Sequence, residues 1–345
     1  MKKQPVIVLV GPTAVGKTKL SIDIAKAFNG EIISGDSMQI YKGMDIGTAK
    51  ITPEAMNGVP HHLIDIKQPD ESFSTAEFQQ LVRLKIKEIA ARGKTPMIVG
   101  GTGLYIQSVL YDYTFTDEKS DPAFREEMTL FEQQHGPIKL YEKLKEADPD
   151  AAKAIHPNNV RRVIRALEII HTTGQKMSDM QNGHQEVPLY DTAFIGLKMD
   201  RELLYERIHQ RIDMMLDEGL IEEVSALYQS GLKDCQSVQA IGYKELYAYF
   251  QGDCSLDEAI QQLKQNSRRY AKRQFTWFRN KMDVTWFDMT PPCHYSRRYA
   301  KRQFTWFRNK MDVTWFDMTP PCHFSDKKEE IFAYIAGKLG LKAKL

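Results

Sequence analysis

The stretch of sequence with the clearest chemistry is Gly11-Pro12-Thr13-Ala14-Val15-Gly16-Lys17-Thr18, which fits the pattern GxxxxGK[ST]. Glycines permit a tight loop whose amide N–H groups point inward at phosphate oxygens. Lys17 adds a mobile positive charge, and the Thr18 hydroxyl, at the start of a helix, can hold Mg2+. The mechanism requires a buried strand before the loop and a helix after it. Residues 6–10 are a continuous apolar run suited to a strand covered on both faces, and 17–28 has helical spacing with Leu20, Ile24 and Ala27 on one side. Nucleotide hydrolases usually add a second strand ending in Asp, which holds the Mg2+ shell. Here the strand candidate at 96–99 ends in Gly100-Gly101-Thr102, and Leu63-Ile64-Asp65 is a thin substitute. A diphosphate suits the loop, while machinery for ATP hydrolysis is not evident. Asp36 follows the second strand candidate, where loops of an open α/β sheet line the ligand crevice. A carboxylate at that place can be a turn or helix-cap residue, a Mg2+ ligand or a general base.

These groups need a scaffold, and the first hundred residues alternate strand-like and helix-like patterns, as a parallel α/β sheet does. Short strands are expected at 32–34 and 62–66. Residues 74–92 open with the capping box Ser-Thr-Ala-Glu and keep Phe78, Leu81 and Ile89 on one face. From about 116 to 190 strand signals stop, and 122–134, 137–147 and 158–173 read as helices. A strand at 193–199 returns to the core. Long helices at 201–228 and 256–280, a strand at 284–287 and an amphipathic helix at 327–339 complete the chain. The expected fold is α/β: a P-loop NTPase-like parallel sheet flanked by helices, built from 1–115 and 191–345, with a helical insertion domain at 116–190.

Two basic clusters could meet an anionic polymer. On the 158–173 helix, Val160, Val163, Ile164, Leu167 and Ile170 form an apolar stripe, and Arg161, Arg162 and Arg165 share the other side. Arg268, Arg269, Lys272, Arg273 and Arg279 interleave with Tyr270, Phe275 and Trp277. Arginine pairs with phosphate and aromatics stack on unpaired bases, although Phe275 and Phe278 have core spacing. A solvated face is the plain alternative for the first cluster. His61 and His62 are adjacent in a strand candidate, so they point to opposite faces and would not easily share a metal. Cys235, Cys254, Cys293 and Cys322 lack CxxC spacing and read as free thiols. No apolar run approaches the roughly 20 residues that span a bilayer, and the N-terminal apolar run is too short for a signal peptide. A cytoplasmic protein is expected.

Residues 267–295 and 296–324 are copies that differ only in the final Tyr295 or Phe324. Two near-identical copies do not make a solenoid, whose repeats diverge and usually number three or more. The second copy carries six basic residues against Asp312 and Asp317. Without this surplus of +4, the chain's formal charge of +2 becomes −2, so overall charge says little about nucleic acid. A core built around one copy has one slot for a Val-Thr-Trp-Phe strand. Either 284–287 or 313–316 is expected to fill it, with the other copy packed loosely outside.

Six blocks in order resemble the tRNA dimethylallyltransferase family, also called tRNA isopentenyltransferases. They are GPTAVGKT (11–18), SGDSMQIYKGMDIGTAK (34–50), VGGTGLY (99–105), RRVIRALE (161–168), AIGYKEL (240–246) and the first KRQFTWFR (272–279). The resemblance implies transfer of a dimethylallyl group from dimethylallyl diphosphate to the N6 amine of the adenine at position 37, beside the anticodon of tRNA, with Mg2+ as cofactor. By the same resemblance Asp36 engages the adenine amine and Ser37, Met38 and Gln39 contact the base. Thr13, Lys17, Thr18 and Arg211 hold the diphosphate, and Thr102 lies beside the substrate channel. Arg125, Arg161, Arg162, Arg165, Gly242, Tyr243, Lys244, Lys272, Arg273, Gln274 and Arg279 fall on tRNA-contacting positions. The family more often has Gln-Arg at 161–162 and carries the KRQxTWxR block once. A soluble monomer acting on the anticodon stem-loop is expected. A small-molecule P-loop kinase and a non-catalytic RNA-binding P-loop protein are the competing readings.

Overall fold

Strand β1 (Pro5–Val10) is the buried run before the phosphate loop, and its residues Val6 to Val10 are fully shielded from solvent. A computed structural model describes residues 3–111, 113, 121–182, 188–291 and 325–341. Helix α1 (Lys17–Ala27) follows the loop. Then come β2 (Gly30–Gly35), the short α2 (Pro53–Met56), β3 (His61–His62), α3 (Thr75–Ala91), β4 (Thr95–Gly100) and α4 (Gly103–Leu110). The order of the six-stranded sheet is β3-β2-β4-β1-β5-β6, with β5 at Asp191–Lys198 and β6 at Thr285–Asp288. Among the described residues every pairing is parallel, so the carboxyl ends of β1, β2 and β4 open on one edge. Helices flank the sheet, and the α/β expectation holds.

Contacts divide the chain into two compact units, Met1–Leu110 with Leu189–Leu345, and Tyr111–Pro188. The second unit holds α5 (Pro122–Ala147), α6 (Pro149–Ala154), α7 (Val160–Thr173) and α8 (Met177–Asn182). Its core joins Met128, Leu140 and Leu144 of α5 to Val163, Ile164 and Leu167 of α7, the stripe that the helical spacing predicts. The first unit continues with α9 (Arg201–Asp217), α10 (Leu220–Gln229), α11 (Tyr243–Gln251) and α12 (Leu256–Lys281). Ser255 and Glu258 close a capping box at the start of α12.

Three boundaries differ from expectation, each for a backbone reason. The single helix expected at 201–228 breaks at Gly219, whose φ of 100° is left-handed and ends α9 before α10 begins. The two helices expected at 122–134 and 137–147 join in one element kinked at Gly136, φ 82°, just before Pro137. The strand expected at 62–66 stops at His62 because Leu63 and Asp65 take positive φ angles of 61° and 55°, which a strand cannot contain.

The first copy of the duplicated block completes α12 and supplies β6, which pairs with β5 from Ile195↔Thr285 to Lys198↔Asp288. The closing helix, Ser325–Leu339, packs on this strand: the Thr285 hydroxyl bonds the Tyr334 hydroxyl at 3.0 Å, and the Phe287 and Tyr334 rings lie 5.7 Å apart. Its Phe332 meets Phe28 edge-on at 5.7 Å. The strand at 313–316, and with it the expectation of a loosely packed copy, lies outside the described residues. Since the sheet slot and the closing helix both engage the first copy, deleting 296–324 should leave the Tm and the soluble yield at least as high. A melting curve checks this, and loss of the cooperative transition would make the second copy part of the fold.

Candidate functional site

The phosphate loop is shaped by left-handed backbone at Ala14 and Gly16, φ 64° and 104°, a conformation from which anion-binding nests are built. Lys17 folds back across the loop, its Nζ donating to the carbonyls of Gly11 at 2.9 Å and Pro12 at 2.8 Å. Burial brings its pKa down to about 7, with the neighbouring Arg211 charge adding to the shift and Asp36 opposing it. Arg211 arrives from α9 and donates to the Thr13 hydroxyl at 3.4 Å. Two cationic groups thus flank the loop, and a bound anion would replace the carbonyls as the partner of Lys17.

Asp36 leaves the end of β2 beside them. One of its oxygens accepts the Met38 N–H at 2.8 Å, so the turn role is real. Burial raises its pKa against the pull of the Met38 and Gln39 amides, Lys17 and Arg211. A carboxyl shifted upward is a stronger base when ionised. Turn residue and base are therefore compatible roles for one side chain.

The loop after β4 closes the floor. Gly100 pairs with Gly35, and a Cβ on Gly100 would lie 2.3 Å from the Gly35 carbonyl, so only glycine fits. Thr102 then bonds back, its N–H to the Gly35 carbonyl at 3.3 Å and its hydroxyl to Ser37. Gln274 of α12 reaches in from the other side. Its Oε1 accepts the Thr13 N–H at 2.9 Å and its Nε2 donates to the Gly101 carbonyl at 3.1 Å. A Cβ on Gly101 would meet that Nε2 at 1.9 Å. One buried amide side chain therefore ties the phosphate loop to the loop after β4.

These groups surround one cavity of about 400 Å³. Thr13, Lys17, Thr18, Asp36 and Arg211 make its polar end. The helical spacing of α9 sets Ile208, Ile212 and Met215 on the same face as Arg211, and with Leu220, Ile241 and Leu263 they give the cavity an apolar wall. An anion at the loop with an apolar tail beside a carboxylate is the ligand this lining suits. Among the described residues no group of three or more His, Cys, Asp or Glu could hold a metal alone. Thr18 and Asp36 both line the cavity and offer oxygen donors, which suit a hard cation such as Mg2+ shared with a diphosphate. His61 bonds the Val59 carbonyl and His62 bonds Glu31, so the two histidines work apart.

The residues expected to contact tRNA fall into three groups. Ser37, Met38, Gln39, Gly242, Lys244, Arg273 and Gln274 line the cavity, and Thr102 touches it through Ser37. Lys272 and Arg279 are exposed on α12, and Arg161 and Arg162 are exposed on α7. The remaining three also have partners within the protein. The Tyr243 ring is fully buried with its hydroxyl on Glu223 at 2.6 Å, so its side chain is a packing group and not an RNA contact. Arg125 and Arg165 both bond Glu168, at 2.8 and 2.6 Å, and the Asp121 N–H joins them. Burial works to raise the Glu168 pKa, but these bonds outweigh it and hold the carboxyl below its usual value. With Glu168 fully buried, the two arginines are its necessary partners. Tyr270 was legible only as one aromatic of a basic block, yet it lines the cavity. The α12 spacing Tyr270, Arg273, Gln274 would have placed all three on one face.

Among the described residues no helix is long and apolar enough to cross a membrane. The family model described as IPP transferase matches residues 39–281. A tRNA dimethylallyltransferase of Bacillus pumilus (strain SAFR-032) is 87% identical over 343 residues, 99% of each chain. Among solved structures, the full-length tRNA isopentenylpyrophosphate transferase of Bacillus halodurans is 52% identical, with a TM-score of 0.68 over 98% of this chain and 97% of that one. A eukaryotic dimethylallyltransferase solved acting on tRNA is 32% identical, with a TM-score of 0.73 over 90% of this chain and 81% of that one.

The Lys17 environment makes a pH prediction. An anion in the loop favours the charged lysine, so its pKa rises from about 7 on binding and, above that pH, binding takes up a proton. Calorimetry with inorganic diphosphate at pH 8, in buffers of different ionisation enthalpy, should show more proton uptake by the native protein than by Lys17→Met. Equal uptake would mean that Lys17 is already charged in the free protein.

Proposed function

The chain belongs to the IPP transferase family, and on that premise we propose that it transfers a dimethylallyl group from dimethylallyl diphosphate to the N6 amine of adenine 37 in the anticodon loop of tRNA. The observation that carries the reading is the single cavity in which a phosphate loop, an apolar wall and the Asp36 carboxylate meet.

The exocyclic amine of adenine is a weak nucleophile because its lone pair is delocalised into the ring. An allylic diphosphate compensates, since its leaving group departs from a resonance-stabilised carbon. The C–O bond of the donor breaks with its electron pair on the diphosphate, and the amine lone pair forms the new C–N bond. Loop amides, Lys17 and Arg211 stabilise the charge that grows on the diphosphate. Bound Mg2+ would supply further charge neutralisation at the same oxygens, with Thr18 as its protein ligand. Asp36 orients the amine and accepts the proton that the amine loses. The apolar face of α9 shelters the five-carbon group from water. The target base must leave its stack to reach such a pocket, at a cost of a few kcal/mol.

For RNA binding, Arg161 and Arg162 on α7 and Lys272, Arg273 and Arg279 on α12 supply the charge, since none of them is tied to a buried partner as Arg125 and Arg165 are. The Tyr111–Pro188 unit is on this reading the RNA-gripping insertion.

Asp36→Asn should keep donor and tRNA binding and lower diphosphate release by roughly 10²-fold or more, the range for a lost general base. Unchanged release would remove Asp36 from the chemistry, and release of ADP from ATP with a small acceptor would indicate a kinase instead. Arg161→Ala and Arg162→Ala should each flatten the salt dependence of tRNA binding by a slope of about one. Normal binding at every salt concentration would take α7 out of the RNA interface.

A further inference from the structure

Glu223 stands on the first turn of α10, away from the cavity lining and outside the six sequence blocks. Its carboxylate gathers four hydrogen bonds. Oε2 accepts the backbone N–H groups of Asp45 and Ile46, both at 2.8 Å, and Oε1 accepts the Gly47 N–H at 3.0 Å and the Tyr243 hydroxyl at 2.6 Å. Three consecutive amides turned toward one point form an anion nest, and here a side chain of the same protein fills it. All the donors serve one charge, which makes these bonds stronger than neutral ones.

The nest has two dependants. Along one branch, the loop it fixes runs directly into Thr48 and Ala49, whose carbonyls accept the Gln39 amide at 3.2 and 3.4 Å. Gln39 in turn accepts the Ser34 hydroxyl at 3.1 Å, two residues before Asp36. Along the other branch, Tyr243 sits between Gly242 and Lys244, which line the cavity. The branches also touch: a Cβ on Gly47 would lie 2.5 Å from the Tyr243 ring, so the backbone packs directly against it. Thr48 and Ala49 line the cavity as well. Glu223 therefore joins two stretches of cavity wall that are about 200 residues apart in sequence and that meet at its carboxylate.

We infer that Glu223 is a positioning residue, which sets the spacing of the 47–49 and 242–244 walls and through Gln39 the seat of the acceptor base. The phosphate end has its own supports in Gln274 and Arg211. Loss of Glu223 should then affect the acceptor and spare the donor. The inference rests on the transferase reading for what the walls hold, though the nest itself does not.

Glu223→Gln replaces one carboxylate oxygen by an NH2 group, which cannot accept the amides it would face. We expect kcat/KM for tRNA to fall about tenfold or more, the effect of losing a charged acceptor of several hydrogen bonds. The calorimetric affinity for dimethylallyl diphosphate should stay within about twofold, since the donors to that end are untouched. Hydrogen exchange of the 45–49 segment should speed up in the substrate-free variant. Tyr243→Phe, which removes one bond of the four and keeps the packing, should show the same pattern at smaller size and covers the case that Glu223→Gln folds poorly. Unchanged exchange at 45–49, or equal losses of donor affinity and tRNA turnover in both variants, would overturn the positioning role. A native protein that releases no diphosphate with tRNA would defeat the transferase reading instead, and the exchange result would still decide the nest.

Discussion

The first unit turns on one electrostatic constraint: Lys17, Arg211 and Asp36 line one cavity, where burial disfavours the charged form of all three. Lys17 without an anion is held by loop carbonyls and loses basicity, while Asp36 is pushed toward its neutral form. On the proposed reading, an incoming diphosphate brings the negative charge that answers the two cations. It leaves the carboxylate free to deal with a proton. A parallel sheet supplies the means, because it delivers β1, β2 and β4 to one edge with their following loops side by side.

The close fit of those loops explains two glycines of the 99–105 block. Gly100 is needed where the backbones of β2 and β4 nearly touch, and Gly101 where Gln274 enters. Helix α12 thereby has two faces with different tasks. One carries Lys272 and Arg279 to solvent, and the other sends Gln274 and Tyr270 to the cavity. On the proposed reading, a helix whose outer face meets RNA is thus bonded directly to the loop that holds the diphosphate. That link is what the sequence KRQ encodes, two exposed cations followed by a buried amide.

Much of this was legible in the chain itself, and the reasons differ by residue. The phosphate loop and the β1 run before it are local patterns, and local patterns survive folding. The helical unit was visible because α7 carries an apolar stripe that its partner α5 completes. Breaks were harder, since Gly219 and Gly136 look like tolerated glycines until their φ angles are known. Partnerships across the chain were invisible. Nothing in a list of residues says that Arg125 and Arg165 meet at Glu168, or that Glu223 holds 45–47. Those are decided by tertiary packing, which also turned Tyr243 from an expected RNA contact into a core residue.

The central claim is that the loop holds an allylic diphosphate while Asp36 addresses an adenine amine. Donor labelled in its allyl carbons, incubated with the protein and bulk tRNA, tests it directly once the tRNA is digested to nucleosides. The account predicts label in an N6-substituted adenosine, equal in amount to the diphosphate released. Diphosphate released with the label left as free dimethylallyl alcohol, or label on any other atom of the RNA, would contradict it.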